Sequence, residues 1–244
     1  MTSTKGLFGR PTYLGKSGNL TLTDAHYGRL INVTSTGTIT LPDAATVGSG
    51  WFCRVRQGGG AATVARAGSD TIELWADSGL TSVLLASQGD EIEIVSTGSG
   101  WVASGRIKVR AIMSSSTDQT IATATLTTLT FSTAATDTHS MFENSTAEKY
   151  EVPFSGVYYV QYDGVVDGSA SFSFTTSIVT TVGINAAFVS QASASIADTE
   201  MHALATVQLT RGDEIWLTAY QVSGGGKDIQ NMTELCFWEV LRVG

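Results

Sequence analysis

Nowhere in this chain do apolar residues fall at i, i+3, i+4 and i+7 over three turns between a helix cap and a stop. What recurs is short apolar or alternating runs separated by Gly, Asp, Ser and Asn, and that pattern predicts an all-β chain of the sandwich or barrel kind. In "DEIEIVS", Ile92 and Ile94 share one face and Glu91 and Glu93 the other, so a strand there has one wet face. Composition points the same way. Only 15% of residues are charged, and the many threonines favour strands and turns over surface helices, which usually carry Glu and Lys. With 244 residues, 42% of them hydrophobic, the chain suits two small domains or one large β domain.

Four segments follow from the local pattern. Residues 1–18 hold Lys5, Arg10 and Lys16, the isolated aromatics Phe8 and Tyr13, and no acid; too polar to build a core, they read as an extended docking arm. Residues 19–105 carry a train of strands from "LTL" to "WVASG" and predict a small β-sandwich or barrel domain. Residues 106–120 read as a linker, in which "GRIKVR" alternates Arg106, Lys108 and Arg110 with Ile107 and Val109 as a charged edge or short stalk. Residues 121–244 hold about eight more strands, enough for a two-sheet jelly roll. "GDEI" occurs in both halves, at Gly89–Ile92 and Gly212–Ile215; convergent turn chemistry accounts for so short a match.

Charge is unevenly placed. The formal net charge is −8, yet residues 1–105 carry seven Lys/Arg against eight Asp/Glu, and residues 111–244 carry four against fourteen. An acidic second half argues against a phosphate backbone as partner, which wants a basic face. No apolar run reaches the ~18 residues of a membrane-spanning helix, so no membrane insertion is expected. "MTSTKGLFGRPTYLGKSGN" has no hydrophobic signal region, which leaves the sequons at Asn19, Asn32, Asn144 and Asn231 as chance matches in a Thr-rich chain. Cys53 and Cys236 lie in different predicted domains and in strand-like apolar runs, and read as buried free thiols.

The search for chemistry yields little. His26 and His139 each follow an acid by two residues, in "DAH" and "DTH", but two ligands are short of the three or four of a zinc site. No nucleophile elbow or calcium loop occurs. "QGGGAA" at Gln57–Ala62 lacks the Lys-Ser/Thr of a phosphate loop and, like "SGGGK", reads as a hairpin turn or loop tip. Asp163 and Asp167 in "YDGVVDG" could supply the two carboxylates of a glycosidase, although acids beside Gly are mostly turn formers. The expectation is therefore a non-enzyme with no catalytic set, no cofactor and no metal. Among the tryptophans, Trp75 in the polar "LWADSG" is the candidate glycan contact, a rim residue of a subunit interface being the competing reading.

In "GVYYVQYDG", Tyr158, Val160 and Tyr162 fall on one face of a strand and Val157, Tyr159, Gln161 and Asp163 on the other. One face serves a core. The other also begins apolar and aromatic, as a subunit contact does, so this strand is expected to have a partner on each side.

The run "FSTAATDTHSMFENSTAEKYEVPFSGVYYVQYDGVV", with "LTRGDEIWLTAYQ" and the terminal "LCFWEVLRV", resembles the jelly-roll domain of the complement-globular-head and tumour-necrosis-factor-like superfamily over about residues 111–244. The resemblance implies a compact homotrimer that binds partners rather than catalysing a reaction. Its interface candidates here are Tyr158, Tyr159, Tyr162, Trp216, Tyr220 and Phe237. "VTSTGTITLPDAATVGSGWFCRVRQ", "AGSDTIEL" and "GDEIEIVSTGSGWVASG" resemble small β domains of tailed-bacteriophage fibre and head-decoration proteins.

Together the two resemblances imply a structural virion protein, made in the host cytoplasm and carried on the particle surface as a trimeric head decoration, head fibre or tail fibre. Lys5, Phe8, Arg10, Tyr13 and Lys16 would dock it on major capsid or tail proteins. The alternatives are a receptor-binding tip that recognises a host surface glycan and, last, a tailspike glycan hydrolase.

Overall fold

The computed structural model describes residues 12–115, 117–143, 148–167, 172–192, 198–230 and 237–242. The chain divides into two units, Met1–Lys108 and Val109–Gly244, and both are built from strands. Among the described residues no helix is long and apolar enough to cross a membrane.

Unit 1 begins as a stack of parallel rungs. Its strands are β1 Tyr13–Lys16, β2 Leu20–Thr21, β3 Leu30–Val33, β4 Gly37–Thr40, β5 Phe52–Gln57, β6 Ala62–Ala65, β7 Ile72–Leu74, β8 Asp77–Leu80, β9 Ser82–Leu85, β10 Glu91–Ser96 and β11 Trp101–Arg106. β1, β3 and β5 pair in parallel in one sheet, and β2, β4 and β6 pair in parallel in a second. Each rung therefore crosses from one sheet to the other through a short corner. Further strands complete both sheets, in the orders β1-β3-β5-β10-β11-β7-β8 and β2-β4-β6-β9, all antiparallel to their neighbours except β7, which pairs with β11 in parallel. Ile31, Val33, Ile39, Val55, Val64, Ile92 and Ile94 are fully buried, and the alternation of β10 is as expected, with the isoleucines inside and the glutamates half-buried outside.

The corners explain "QGGGAA". β5 and β6 lie in different sheets, so Gly58–Ala61, read as a hairpin turn or loop tip, is a corner between the sheets. Ser17 and Ser35, on the two preceding corners, bond through their hydroxyls at 2.9 Å. A Cβ on Gly59 or Gly60 would come within 3.0 Å of the backbone of Thr34, Ser35 or Thr36 in the corner beneath. Stacked backbones leave room for glycine alone.

Unit 2 is a two-sheet jelly roll. Its strands are β12 Arg110–Ser114, β13 Gln119–Ile121, β14 Thr127–Thr128, β15 Thr133–Asp137, β16 Phe142–Glu143, β17 Lys149–Glu151, β18 Gly156–Asp167, β19 Phe172–Thr180, β20 Gly183–Ala192, β21 Asp198–Leu209, β22 Glu214–Val222, β23 Lys227–Ile229 and β24 Phe237–Arg242. One sheet runs β13-β23-β18-β24-β12-β15, with β21 also on β18; the other runs β16-β17-β22-β19-β20, with β14 on β22. Residues 106–120, read as a linker, thus contain β12, which sits between β24 and β15 with Ala111 and Met113 fully buried. Its partners are distant in sequence, so nothing local announced it as a core strand.

The long antiparallel ladder between β18 and β21 pairs Gly156 with Leu209 through to Asp167 with Asp198. Tyr158, Val160 and Tyr162 are fully buried and face the same way as Ala203, Ala205 and Val207 across the ladder. The Tyr158 hydroxyl donates to the Phe154 carbonyl at 2.7 Å. The Tyr162 ring lies over Gly164, where any Cβ would collide with it. A strand-interior glycine is filled by the neighbouring aromatic.

Candidate assembly and binding faces

The outward face of the β18 sheet is a continuous strip of partners. Tyr159 donates from its hydroxyl to Gln161 Oε1 at 3.0 Å, and Gln161 Nε2 donates to Asp163 Oδ2. Asp163 Oδ1 meets His202 Nδ1 on β21, and His202 Nε2 stands 3.7 Å from Glu200 Oε2. Alternation puts all these side chains on the outer surface, because i and i+2 share a face of a strand. Apolar groups flank the strip. Leu204, opposite Gln161, is 56% exposed, and Ile112, Val157 and Leu241 are half-buried. The register places Leu241 beside Tyr159, and Phe237 beside Asp163; the side chain of Phe237 lies outside the described residues.

The six interface candidates are therefore not one surface. Tyr158 and Tyr162 are fully buried inside unit 2 and have no area to offer a second copy; the physical reason is that alternation turns them toward the inter-sheet core. Tyr159 lies on the outward face of the β18 sheet. Trp216 and Tyr220 lie on β22, on the outward face of the opposite sheet, which points the other way. Two sheet faces of one sandwich cannot be told apart by alternation alone, so the sequence had no means to separate them.

Of the arm residues, Lys5, Phe8 and Arg10 lie outside the described residues. Tyr13 and Lys16 are in β1, paired in register with Leu30 and Val33 of β3; they belong to the first rung of unit 1. The Tyr13 hydroxyl accepts from Asn32 Nδ2 at 3.1 Å, and its side chain is exposed. Trp75 sits at the tip of the β7–β8 hairpin with φ +55° and 37% exposure. That left-handed conformation is strained for a bulky side chain.

Chemistry remains sparse. Asp137 accepts the backbone N–H groups of His139 and Phe142, and His26 Nδ1 accepts that of Thr23, so both acid–histidine pairs act as local turn and cap elements. No group of three or more metal-ligating side chains occurs among the described residues. Asp163 and Asp167 are four residues apart on one strand face, about 13 Å at ~3.3 Å per residue, which exceeds the roughly 6.5–9.5 Å of an inverting carboxylate pair. On unit 1 a shallow depression of about 470 Å³ is lined by Arg54, Glu91, Glu93, Ser104, Gly105 and Arg106, and Arg54 and Glu93 are paired across it at 2.8 Å. Cys53 lies behind this face; burial, then the Glu93 charge, pushes its thiol up to about 12.

The two "GDEI" turns have the same construction. Asp90 Oδ2 accepts the N–H of Ser87 at 2.9 Å, and Asp213 Oδ2 that of Thr210 at 2.8 Å. In return the N–H groups of Asp90 and Asp213 donate to the carbonyls of Ser87 and Thr210. Gly89 and Gly212 take φ +87° and +89°. A shared four-residue turn, closed by an aspartate at its last position and carrying a positive-φ glycine before it, is sufficient to account for the repeat.

No curated protein matches the chain. Among solved structures it is similar to murine APRIL at pH 5.0, with a TM-score of 0.45 and 10% identity over 56% of this chain and 99% of that one. Murine APRIL at pH 8.0 gives a TM-score of 0.42 and 11% identity over the same shares. The C1q domain family model matches residues 111–237, from the second residue of β12 to the first of β24, so that it takes in the jelly roll of unit 2. Through that domain the chain belongs to the C1q domain family.

Proposed function

We propose that this chain is a trimeric structural protein of a bacteriophage particle, a decoration or fibre protein held by its N-terminal region and presenting the C1q-type jelly roll outward. The observation that carries the assembly is the outward face of the β18 sheet. There Tyr159, Leu204, Ile112 and Leu241 place apolar and aromatic area beside an internally bonded polar strip, the mix found at subunit contacts. The homotrimer implied by the jelly-roll resemblance gives that face its partner. The particle location is supported by the resemblance of unit 1 to fibre and decoration modules, and by the way its three signature stretches meet in space: Ala44 of "TLPDAA" and Trp101 of "GSGW" both donate to Asp70 of "GSDTI".

Light scattering of the purified chain tests the assembly: three chains of 25.6 kDa give 76.8 kDa. A single-chain mass would overturn it. Antibody labelling of particles made in the producing host tests the location; particles that carry no label would remove the virion reading. A receptor-binding tip is the second reading, supported by the exposed and strained Trp75. It predicts that the purified chain competes with whole particles for adsorption. The hydrolase reading has the spacing of Asp163 and Asp167 against it.

A further inference from the structure

The outward face of the β22 sheet is chemically unlike that of the β18 sheet. Along β22, Glu214, Trp216, Thr218, Tyr220 and Val222 point outward and alternate with buried Ile215, Leu217, Ala219 and Gln221. Trp216 and Tyr220 are separated by about 13 Å along the strand at ~3.3 Å per residue. Between them lie Thr218 and its cross-strand neighbour Ser177, which are only 6% and 8% exposed although they belong to the outer face. The two aromatics thus bound a shallow slot with a hydroxyl floor. Thr128 opposite Thr218, and Thr175 opposite Tyr220, add hydroxyl-bearing positions at its edges.

Charge at the slot is closed on itself. Lys149 pairs with Glu214 at 2.6 Å, and its ammonium stands 5.0 Å from the Trp216 ring centroid. Residues 111–244 as a whole carry four Lys/Arg against fourteen Asp/Glu, a net charge that disfavours phosphate and acidic polymers as partners. A purely apolar partner would leave the hydroxyls of Ser177 and Thr218 covered and without new hydrogen-bond partners. A sugar meets both demands, with C–H faces for the rings and hydroxyls for the floor.

We propose that this slot binds a neutral oligosaccharide, with sugar rings stacked on Trp216 and Tyr220 and sugar hydroxyls bonded by Ser177, Thr218 and Thr175. Lys149 is a positioning residue that holds the Trp216 ring. The site rests on the assembly reading only in that the β18 face, and not this one, meets the other copies.

Native-gel affinity electrophoresis of the full chain tests it, in gels cast with mannan, laminarin, dextran or hydroxyethylcellulose and with alginate as the acidic control. The expected result is retardation by at least one neutral polymer, weakened about tenfold, or ~1.4 kcal/mol, by Trp216→Ala and by Tyr220→Ala. Trp216→Phe should restore it and Val102→Ala, at an exposed side chain of β11 in unit 1, leave it unchanged. Retardation by none of the neutral polymers, by alginate alone, or equally in both alanine variants would overturn the site. Light scattering of Trp216→Ala separates the remaining occupant: a mass below that of the wild type would make this face a contact between copies, again overturning it. A single-chain wild type that is still retarded would sink the assembly reading and leave the sugar site standing.

Discussion

Asp70 Oδ2 accepts the indole N–H of Trp101 at 3.2 Å and, on the same oxygen, the backbone N–H of Ala44 at 2.9 Å. Ala44 opens a short helix, Ala44–Val47, and Trp101 opens β11 and packs edge-on against Trp51 at 5.6 Å. One carboxylate therefore joins three stretches far apart in the chain. Asp70→Ala should destabilise unit 1 by about 2 kcal/mol, because two covered donors lose their acceptor. Urea unfolding followed by tryptophan emission measures this, and an unchanged midpoint would remove Asp70 from that role.

The two triple-glycine runs should behave oppositely. In Gly60→Ala the new methyl meets the backbone of Ser35 and Thr36 closer than 3.0 Å, and a loss of about 2 kcal/mol or more is expected from overpacking against backbone that cannot yield. Gly225 has nothing within 4 Å, so Gly225→Ala should stay within about 0.5 kcal/mol of the wild type. Thermal unfolding of the two variants side by side decides the matter.

Acid should weaken the turn that joins β21 to β22 through Asp213. Partial burial raises its carboxyl, but bonds from the Thr210 N–H, the Thr181 hydroxyl and the Thr210 hydroxyl outweigh this and hold it below its ordinary value. A carboxyl depressed in the folded state stabilises fully above its unfolded value of about 3.9 and loses that contribution as pH falls through the folded one. The melting temperature of wild type minus that of Asp213→Asn should shrink as pH falls below about 4; a constant difference would show that Asp213 acts only through shape.

Cys53 should be inert in the folded chain. With its thiol pushed up to about 12 and its side chain fully buried, thiolate is scarce and shielded at neutral pH. In a Cys236→Ser background, Ellman's reagent should react only on unfolding. Rapid reaction of the native protein would show that the Glu93 face opens.

Assembly should depend on the β18 face and not on the buried tyrosines. Leu204→Glu, at a side chain 56% exposed, is expected to lower the solution mass to one chain without loss of the fold. Tyr158→Phe removes the bond to the Phe154 carbonyl and should cost about 1 kcal/mol of stability with the mass unchanged.

The period-2 alternation of β10 and β18 was legible in the sequence because it is local: the chain itself decides which of Tyr158 and Tyr159 shares a face with Val160. For the same reason the all-β class, the turns that end at Asp90 and Asp213, and the pattern that marks the C1q jelly roll could be read directly. Other features depend on contacts between distant segments. "QGGGAA" and "SGGGK" look alike, yet only the first is stacked on the backbone of another corner. β12 looked like part of a linker because β24 and β15, which bury Ala111 and Met113, arrive from elsewhere in the chain. The parallel rungs of unit 1 depend on pairing across connections that carry no register of their own, and Trp216 parted from Tyr159 only when strands were assigned to sheets. Alternation determines the two sides of a strand, whereas the tertiary structure decides which side meets the core, a second copy or a ligand, because burial is a property of the neighbours and not of the residue.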